Sequence, residues 1–269
     1  LNYGEFFIKG KVDKEILVST YICHPSMANN ELSGPIVSMS LMSYFKKFNN
    51  YYSIRFLFIP ETIGSIAYIS RNLKKLKKRV LCGFNISCIG DEKNHSYILS
   101  KYKNSPSDEA LLLAYKKLKI KKTTEFSFLE RGSDERQFNS YGVDLKITSV
   151  SRTKYGEYKE YHTSHDNFDL VTKKGLLGGY NVVKKAIEII HKKKFPKSKI
   201  LCEPFLTKRK LYPTLSRADN KSIKATNFLD FIQYSDGNNS LEKISLLIKV
   251  DIKKIKIIYK NLKKYGLIY

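Results

Sequence analysis

Four short segments of this chain carry the side chains with which it could do chemistry. They hold His24, Glu61, Asp134 and His162, and each of these stands where an apolar run gives way to a polar loop or helix. Histidine and carboxylate side chains bind zinc in hydrolases, and such a site also needs a further carboxylate that accepts a proton from the attacking water. We therefore predict a metal-dependent hydrolytic site with Glu61 as the base and the other three residues as ligands.

Each of these residues, taken alone, also has a structural interpretation. A single histidine after a strand is more often structural than a ligand, and Asp134 would also suit the N-cap of a short helix that runs to Phe138. His165, three residues after His162, is interpreted as a surface side chain. The prediction of a site therefore depends on the four segments meeting in space.

The elements that would bring these segments together alternate between strand and helix. Apolar, β-branched runs predict strands at 16–23, 52–59, 80–89 and 144–150, and helical periodicity predicts helices at 33–48, 62–73, 107–117 and 170–194. This alternation favours an α/β fold with a mixed, centrally parallel sheet flanked by helices. Because ligands collect beyond the carboxyl ends of such strands, His24 and Glu61 lie where a site is expected.

The same patterns divide the chain into two predicted domains. Residues 1–196 form the α/β core, 197–223 form a linker, and 224–269 form a small winged-helix-like domain of three short helices. The third of these helices is rich in lysine, which raises the alternative of a DNA-binding regulator. We expect its lysines on more than one face, and it has no arginine, the usual reader of bases. Docking onto the core or assembly of a homo-oligomer is therefore favoured over nucleic-acid binding.

Composition sets the remaining limits. The 269 residues include 49 Lys and Arg against 25 Asp and Glu, a net charge of +24, but the lysines are scattered and indicate a solvated surface. No run approaches the roughly 18 to 20 apolar residues of a membrane span. The four cysteines have no CxxC spacing, which predicts free buried thiols in a reducing cytoplasm. A start at Leu1, without a signal peptide, is interpreted as a fragment of a longer chain.

Residues from Tyr3 to about Lys194 resemble the zinc aminopeptidase superfamily, which includes bacterial leucyl aminopeptidase, glutamate carboxypeptidase and glutaminyl cyclase. The family pattern is His, Ala-Asp-Asp-Asn-x-Ser-Gly, Glu-Glu, Ser-Asp-x-x-x-Phe and His-Thr-x-x-Asp. Here the same order appears as His24, Ala-Asn-Asn-Glu-Leu-Ser-Gly at 28–34, Glu61 with Thr62, Ser-Asp-Glu-Arg-Gln-Phe at 133–138, and His-Thr-Ser-His-Asp at 162–166. The match is closer still to an uncharacterised aminopeptidase-like branch, in which an inserted protease-associated-like domain precedes the core and a winged helix follows it.

Two departures from the family pattern bear on the metal. Asn30 stands where an Asp bridges two ions, and Thr62 stands where the second Glu of the Glu-Glu pair is a ligand. A neutral amide cannot balance two dications, so we expect one zinc ion, and two ions remain the alternative if Glu31 turns inward and replaces the bridge. The candidate ligands that the resemblance implies are His24, Asn30, Glu31, Asp134 and His162.

The resemblance implies a zinc-dependent aminopeptidase-like hydrolase that cleaves an N-terminal peptide bond or a related amide. Glu61 would take the proton from the attacking water, and Arg136, Tyr158 or Tyr161 would assist at the oxyanion or hold the substrate. Two alternatives stay open: a catalytically degenerate member that binds a peptide or amide without cleaving it, and the DNA-binding regulator. We expect no membrane partner.

Overall fold

The computed structural model describes residues 2–209, 211 and 223–269. The chain divides into two units, Leu1–Lys192 and Lys193–Tyr269, and each has a hydrophobic core of its own. The described residues of the predicted linker at 197–223 belong to the second unit. Residues 210 and 212–222 of that linker lie outside the described residues.

Seven strands form one sheet in the first unit. They are β1 (Gly4–Ile8), β2 (Val12–Tyr21), β3 (Tyr52–Ile59), β4 (Val80–Ile86), β5 (Ser96–Ile98), β6 (Thr124–Phe126) and β7 (Ile147–Ser151), and they lie in the order β1-β3-β2-β4-β7-β5-β6. β2 pairs in parallel with β3 and β4, and β4 pairs in parallel with β7. β1 is antiparallel to β3, and β5 is antiparallel to β7 but parallel to β6. The predicted mixed sheet with a parallel centre is confirmed.

Five α-helices accompany the sheet in the described part of the first unit. They are α1 (Ser33–Lys46), α2 (Ile63–Arg79), α3 (Pro106–Lys117), the single turn α4 (Glu135–Phe138) and α5 (Lys173–Lys192). The predicted start of α3 at residue 107 is wrong by one residue, because Ser105 caps the helix and Pro106 is its first residue. The Ser105 hydroxyl accepts the Asp108 N–H at 3.0 Å, and the Asp108 carboxylate accepts the Ser105 N–H at 3.0 Å.

The register of β2 and β3 brings two of the predicted site residues to one edge of the sheet. Tyr21 at the end of β2 lies opposite Ile59 at the end of β3. The Ile22 N–H then donates to the Ile59 carbonyl at 2.9 Å, which holds the chain in place just beyond the strand. His24 and Glu61 follow these strand ends directly, so both emerge at the same edge, as expected for parallel strands.

A π-helical turn, Ala28–Leu32, leads into α1. Its wide winding shows in two bonds across five residues: the Leu32 N–H donates to the Met27 carbonyl at 3.2 Å, and the Ser33 N–H donates to the Ala28 carbonyl. Helical periodicity predicts only the α-helix from residue 33 onward. Single π-turns occur preferentially at functional sites, and this one carries two of the candidate ligands, Asn30 and Glu31.

In the described residues of the second unit there are three α-helices, α6 (Ala225–Gln233), α7 (Leu241–Leu247) and α8 (Ile252–Lys264). Their apolar faces meet in one core, which includes Phe231, Ile244 and Ile258, all fully buried. Ser240 and Asp251 cap α7 and α8 by accepting the N–H groups of Lys243 and Lys253. Across the described part of the chain, no helix combines the length and the apolar character needed to cross a bilayer.

The lysines of α8 occupy more than one face, as expected from the sequence, but five of the six lie together. At 100° per residue, the positions 253, 256, 260, 263 and 264 fall within an arc of about 100°, and all five side chains are exposed. The buried face, with Ile255, Ile258 and Leu262, lies opposite. Lys254 lies off the basic face. Burial of the apolar stripe on the opposite face turns most of the lysines of this helix outward.

Candidate active site

Three ligand-type side chains meet beyond the end of β2. The His24 Nδ1 lies 2.7 Å from the Glu31 Oε1, and the Cys23 Sγ lies 3.0 Å from the same histidine nitrogen. The Cys23 Sγ and the Glu31 Oε1 are 3.8 Å apart. Cys23 is exposed, His24 is half-buried and Glu31 is buried, so the cluster has one open side.

Glu31 points toward His24 because its neighbours hold the carboxylate in that direction. The Cys23 N–H donates to Oε2 at 2.8 Å, and the Asn30 side-chain amide donates to Oε1 at 3.3 Å. Asn30 is itself held, because its Oδ1 accepts the Tyr21 hydroxyl at 3.0 Å. The family pattern would place a bridging carboxylate at position 30, and here that position is an amide already paired with a tyrosine.

Asp166 closes the first turn of the π-helix and is a residue that we did not single out from the sequence. Its carboxylate accepts the Asn29 N–H at 2.5 Å and the Asn30 N–H at 3.0 Å. The Tyr158 hydroxyl donates to the same carboxylate at 3.3 Å. The signal was present, since Asp166 is the last position of the His-Thr-x-x-Asp segment. It fixes the turn that presents Glu31.

His162 lies beside the cluster but is not part of it. Its ring centroid is 5.0 Å from that of His24, and it stacks on Tyr161 at 4.0 Å. His162 is exposed, and its φ of 56° places it in the left-handed region. Tyr158 packs against Tyr161 at 5.5 Å. Burial raises the pKa of both phenols, so near neutral pH they are hydrogen-bond donors.

Glu61 is a half-buried carboxylate whose charge interacts with those of the cluster. Burial raises its pKa, and the negative charge of Glu31 adds to that effect. The Ser133 side chain, His24 and Arg136 act in the opposite direction. A carboxylate with a raised pKa, next to a set of ligand-type residues, suits a group that accepts and returns a proton.

Asp134 is deeply buried and braces the start of α2. Its Oδ1 accepts the Thr62 N–H at 2.8 Å and the Ser65 hydroxyl at 2.7 Å. Burial raises its pKa to about 7, opposed by these two hydrogen bonds and assisted by Glu61 and Glu135. Its side chain does not cap the helix that follows it, α4, so the predicted N-cap role is wrong because the carboxylate turns to α2 instead.

The predicted ligand set is therefore brought together only in part. Among the described residues, the ligand atoms within 4.8 Å of one another belong to Cys23, His24 and Glu31. Asp134 and His162 are not members of that group. The second oxygen of Asp134, Oδ2, is buried and has no hydrogen-bond partner among the described residues, so it retains the capacity to accept a donor or a cation.

Arg136 lies against Thr62, the position at which the family pattern has a second Glu. The guanidinium donates to the Thr62 Oγ1 at 2.7 Å. Thr62 has a φ of 62°, which is unusual for a β-branched residue and costs roughly 1–3 kcal/mol of strain. Asp134, through the backbone, and Arg136, through the side chain, hold it there. A positive guanidinium thus stands beside the position of a missing metal ligand.

The prediction of buried thiols is wrong for two of the four cysteines. All four are free, and Cys82 and Cys88 are buried, but Cys23 and Cys202 are exposed. Cys23 is exposed because β2 ends at Tyr21 and the chain has already left the sheet. Its position directly before His24 was the signal that could have marked it as part of the site.

The donor set of the cluster fits a zinc ion. Zinc binds thiolate, imidazole and carboxylate at about 2.0–2.3 Å in tetrahedral geometry, which places donors roughly 3.2–3.8 Å apart. The three separations in the cluster lie between 2.7 and 3.8 Å. The His24–Glu31 pair, now joined by a hydrogen bond, would need to open by about half an ångström, and the Cys23–His24 pair would need to open by a smaller amount. The residues present therefore fit the metal that the predicted chemistry needs.

The fold of this chain is similar to the folds of zinc aminopeptidases of known structure. A Bacillus subtilis zinc aminopeptidase is similar, with 19% identity and a TM-score of 0.57 over 70% of this chain and 49% of the other. A glutaminyl cyclase from Bacteroides thetaiotaomicron is also similar, with 17% identity and a TM-score of 0.56 over 71% of this chain and 77% of the other. At these identities the likeness concerns the fold alone.

The chain belongs to the family described as a domain of unknown function, DUF4910, whose model matches residues 1–193. Residues 194–269 match the model of a winged helix-turn-helix. The winged helix predicted from the three C-terminal helices is therefore confirmed as a fold. The inserted protease-associated-like domain of the related branch stays a prediction.

Two matches from Clostridium acetobutylicum extend over nearly the whole chain. One is a protein named for polysaccharide biosynthesis and an aminopeptidase-like domain, with 35% identity over 260 residues, which are 95% of this chain and 58% of the relative. The other is the crystal structure of a protein named as a peptidase, with 34% identity and a TM-score of 0.70 over 99% of this chain and 60% of the other. This chain thus spans about 60% of the length of these relatives.

Proposed function

We propose that this chain is a metal-dependent hydrolase of the aminopeptidase type, which cleaves an N-terminal peptide bond or a related amide. One observation carries the proposal: Glu61 and the zinc-type cluster of Cys23, His24 and Glu31 follow the carboxyl ends of the neighbouring parallel strands β3 and β2. Burial raises the pKa of Glu61, which suits a proton acceptor. The aminopeptidase-like relative supports the same reading.

The metal would be a single zinc ion with His24 and Glu31 as ligands and His162 close enough to contribute after a side-chain rotation. When bound, zinc supplies Lewis-acid polarisation and makes water more acidic. A second ion would lack two ligands of the family pattern, because Asn30 and Thr62 stand at those positions and are paired with Tyr21 and Arg136. Asp134, which we expected as a ligand, would instead hold the Thr62 backbone in place through Oδ1. Its second oxygen, Oδ2, would bind the ion only after the side chain turns.

Glu61 would accept the proton of the attacking water and return it to the leaving amine. Its raised pKa favours the first step, because it makes the carboxylate a stronger base toward the attacking water. Arg136 and Tyr161 are the donors placed to hold the substrate carbonyl or a negatively charged group on the substrate. Tyr158 already donates to Asp166, so we assign it to support of the π-helix.

The test is the replacement of Glu61 by Gln, which keeps the shape and removes the base. We expect turnover of a panel of aminoacyl-4-nitroanilides to fall by roughly 10²–10⁴-fold, with zinc content by elemental analysis unchanged. Glu157→Gln, at a side chain 48% exposed, is the matched control and should behave as wild type.

Wild-type turnover in the Glu61→Gln variant would overturn the assignment of the base. A wild-type protein that binds zinc and aminoacyl ligands but hydrolyses none of them would favour the degenerate binding module. The pairing of Asn30 and Thr62 with protein side chains is the observation that keeps this second function in view.

A further inference from the structure

We propose that the Cys23 thiolate is a ligand of the metal, so that the site is a Cys-His-Glu centre. This inference rests on the metal site of the proposed function and adds a ligand of a chemical class that the aminopeptidase pattern quoted above does not contain. Position 30 is a neutral amide where the family pattern has a carboxylate, and the Cys23 thiolate would supply the missing negative charge.

Geometry favours Cys23 over the other candidates for the third protein ligand. Its Sγ lies 3.0 Å from the His24 Nδ1 and 3.8 Å from the Glu31 Oε1, so one small sphere can touch all three donors. His162 approaches His24 only to a ring-centroid distance of 5.0 Å. Asp134 uses one oxygen to brace α2. Cys23 is the side chain whose donor atom already lies within 4.8 Å of the donor atoms of His24 and Glu31.

The backbone around Cys23 is held in the position that ligation requires. The preceding residue, Ile22, donates its N–H to the Ile59 carbonyl at 2.9 Å, which ties this point of the chain to β3. The Cys23 N–H donates to the Glu31 Oε2 at 2.8 Å. One glutamate oxygen is therefore fixed by the loop, and the other, Oε1, faces the thiol and the imidazole. Hydrogen bonds of this kind orient the ligands of a metal before it binds.

Charge balance gives an independent reason. A thiolate, a carboxylate and a neutral imidazole carry two negative charges, which match one divalent ion. Without the thiolate, His24 and Glu31 would leave the ion with one uncompensated positive charge, because Asn30 is neutral. Sulfur also selects the metal, since thiolate favours Zn²⁺ or Co²⁺ over Mg²⁺ and Ca²⁺. The cluster is thus a site for a borderline-soft ion.

The test uses cobalt as a spectroscopic substitute for zinc in the full chain, after removal of bound metal with a chelator. We expect wild type to bind one Co²⁺ with a near-ultraviolet sulfur-to-cobalt charge-transfer band. Cys23→Ser should lack the band and bind Co²⁺ at least tenfold more weakly. Cys202→Ser, at the other exposed cysteine, is the matched control and should keep both.

Each outcome has a distinct meaning. Cobalt binding without the band, and unchanged in Cys23→Ser, would overturn the thiolate ligand and leave the proposed function standing on His24 and Glu31. A band that persists in Cys23→Ser would come from another thiol and would also overturn it. No cobalt binding by wild type would overturn both proposals. Far-UV circular dichroism and a Cys23→Ala variant separate loss of a ligand from loss of the fold.

Discussion

Two buried aspartates, Asp134 and Asp166, each brace the first turn of a helical element that is distant in sequence. Asp134 accepts a backbone N–H at the start of α2, and Asp166 accepts two at the start of the π-helix. Negative charge at a helix N-terminus is favourable because the free N–H groups and the helix dipole meet there. These bonds fix the first turn of α2, which follows Glu61 directly, and the π-helical turn, which carries Glu31 toward His24.

A buried histidine outside the site makes the stability of the first unit depend on pH. The His191 Nδ1 accepts the N–H groups of Tyr51 and Tyr52 at 3.2 and 3.3 Å. Burial lowers its pKa to about 4, with Glu188 acting in the opposite direction. Protonation would place a hydrogen on the nitrogen that accepts both bonds. The folded state therefore disfavours the charged imidazole.

We predict that this histidine reduces stability in acid. The unfolded chain takes up a proton at His191 near pH 6.5, whereas the folded chain does so only near pH 4. The contribution of His191 to the free energy of unfolding is therefore complete above pH 6.5 and is lost as the pH falls toward 4. Between pH 7 and 4.5, the free energy of unfolding measured in urea should fall by about 2 kcal/mol less in His191→Gln than in wild type.

The exposed His165 offers the matched control, since His165→Gln should follow wild type. His95, whose pKa burial also lowers to about 4, contributes equally to all three proteins and cancels in the comparison. Equal acid losses in wild type and His191→Gln would contradict the prediction.

At the scale of elements, the apolar face of α8 is what holds the second unit together. Ile258 is fully buried in the core of α6, α7 and α8, whereas Ile257, its neighbour in sequence, is 49% exposed. We predict that Ile258→Ala costs about 2–4 kcal/mol and that Ile257→Ala costs less than about 0.5 kcal/mol. Hydrogen exchange of α8 peptides in the full chain measures both. Similar protection in the two variants would contradict the burial of this face.

Elements with a strong pattern are predictable from the sequence, and short ones are not. β3, Tyr52–Ile59, is predicted with both its ends because six of its eight residues are apolar and the strand is buried on both faces. β5 and β6 have three residues each, and pairing with their neighbours rather than pattern decides them. α2 extends to Arg79, beyond the predicted residue 73, because Leu76 continues its buried face while a run of lysines covers the rest.

The candidate site is predictable to the same degree as the elements that carry it. His24 and Glu61 follow well-patterned parallel strands, so their shared edge follows from the strand order. The contact of Asp134 with Thr62 joins residues 72 positions apart and has no local signal. The π-turn is invisible to a search for helical periodicity, and it is what turns Glu31 toward His24.

At the scale of the whole molecule, the charge of +24 predicts binding to polyanions of any sequence. When Lys253, Lys256 and Lys260 on α8 are replaced by Gln, we expect the slope of log K for DNA binding against log salt concentration to fall in magnitude by about 2–3. An equal effect is expected from Gln at the exposed Lys74, Lys75 and Lys78 of α2, because the lysines are scattered over both units. Fluorescence anisotropy of labelled duplexes measures both.

Loss of binding confined to the α8 variant, together with preference for one DNA sequence, would contradict this expectation. It would instead make the exposed face of α8 a nucleic-acid surface. The expected result leaves docking or self-association as the role that we propose for the winged helix.

The wide turn at Ala28–Leu32 also has a genetic consequence. An α-helix closes with one residue fewer than this turn, so an in-frame deletion of a single codon there would let α1 run on without a break. The chain before the deletion would rotate by about 100° against the helix, and His24 and Glu31 would no longer face each other. The pairing of β2 with β3 and β4 does not involve this turn, so we expect the sheet to keep its strand order. Descendants of this gene can therefore lose the ligand cluster in one mutational step and keep the fold.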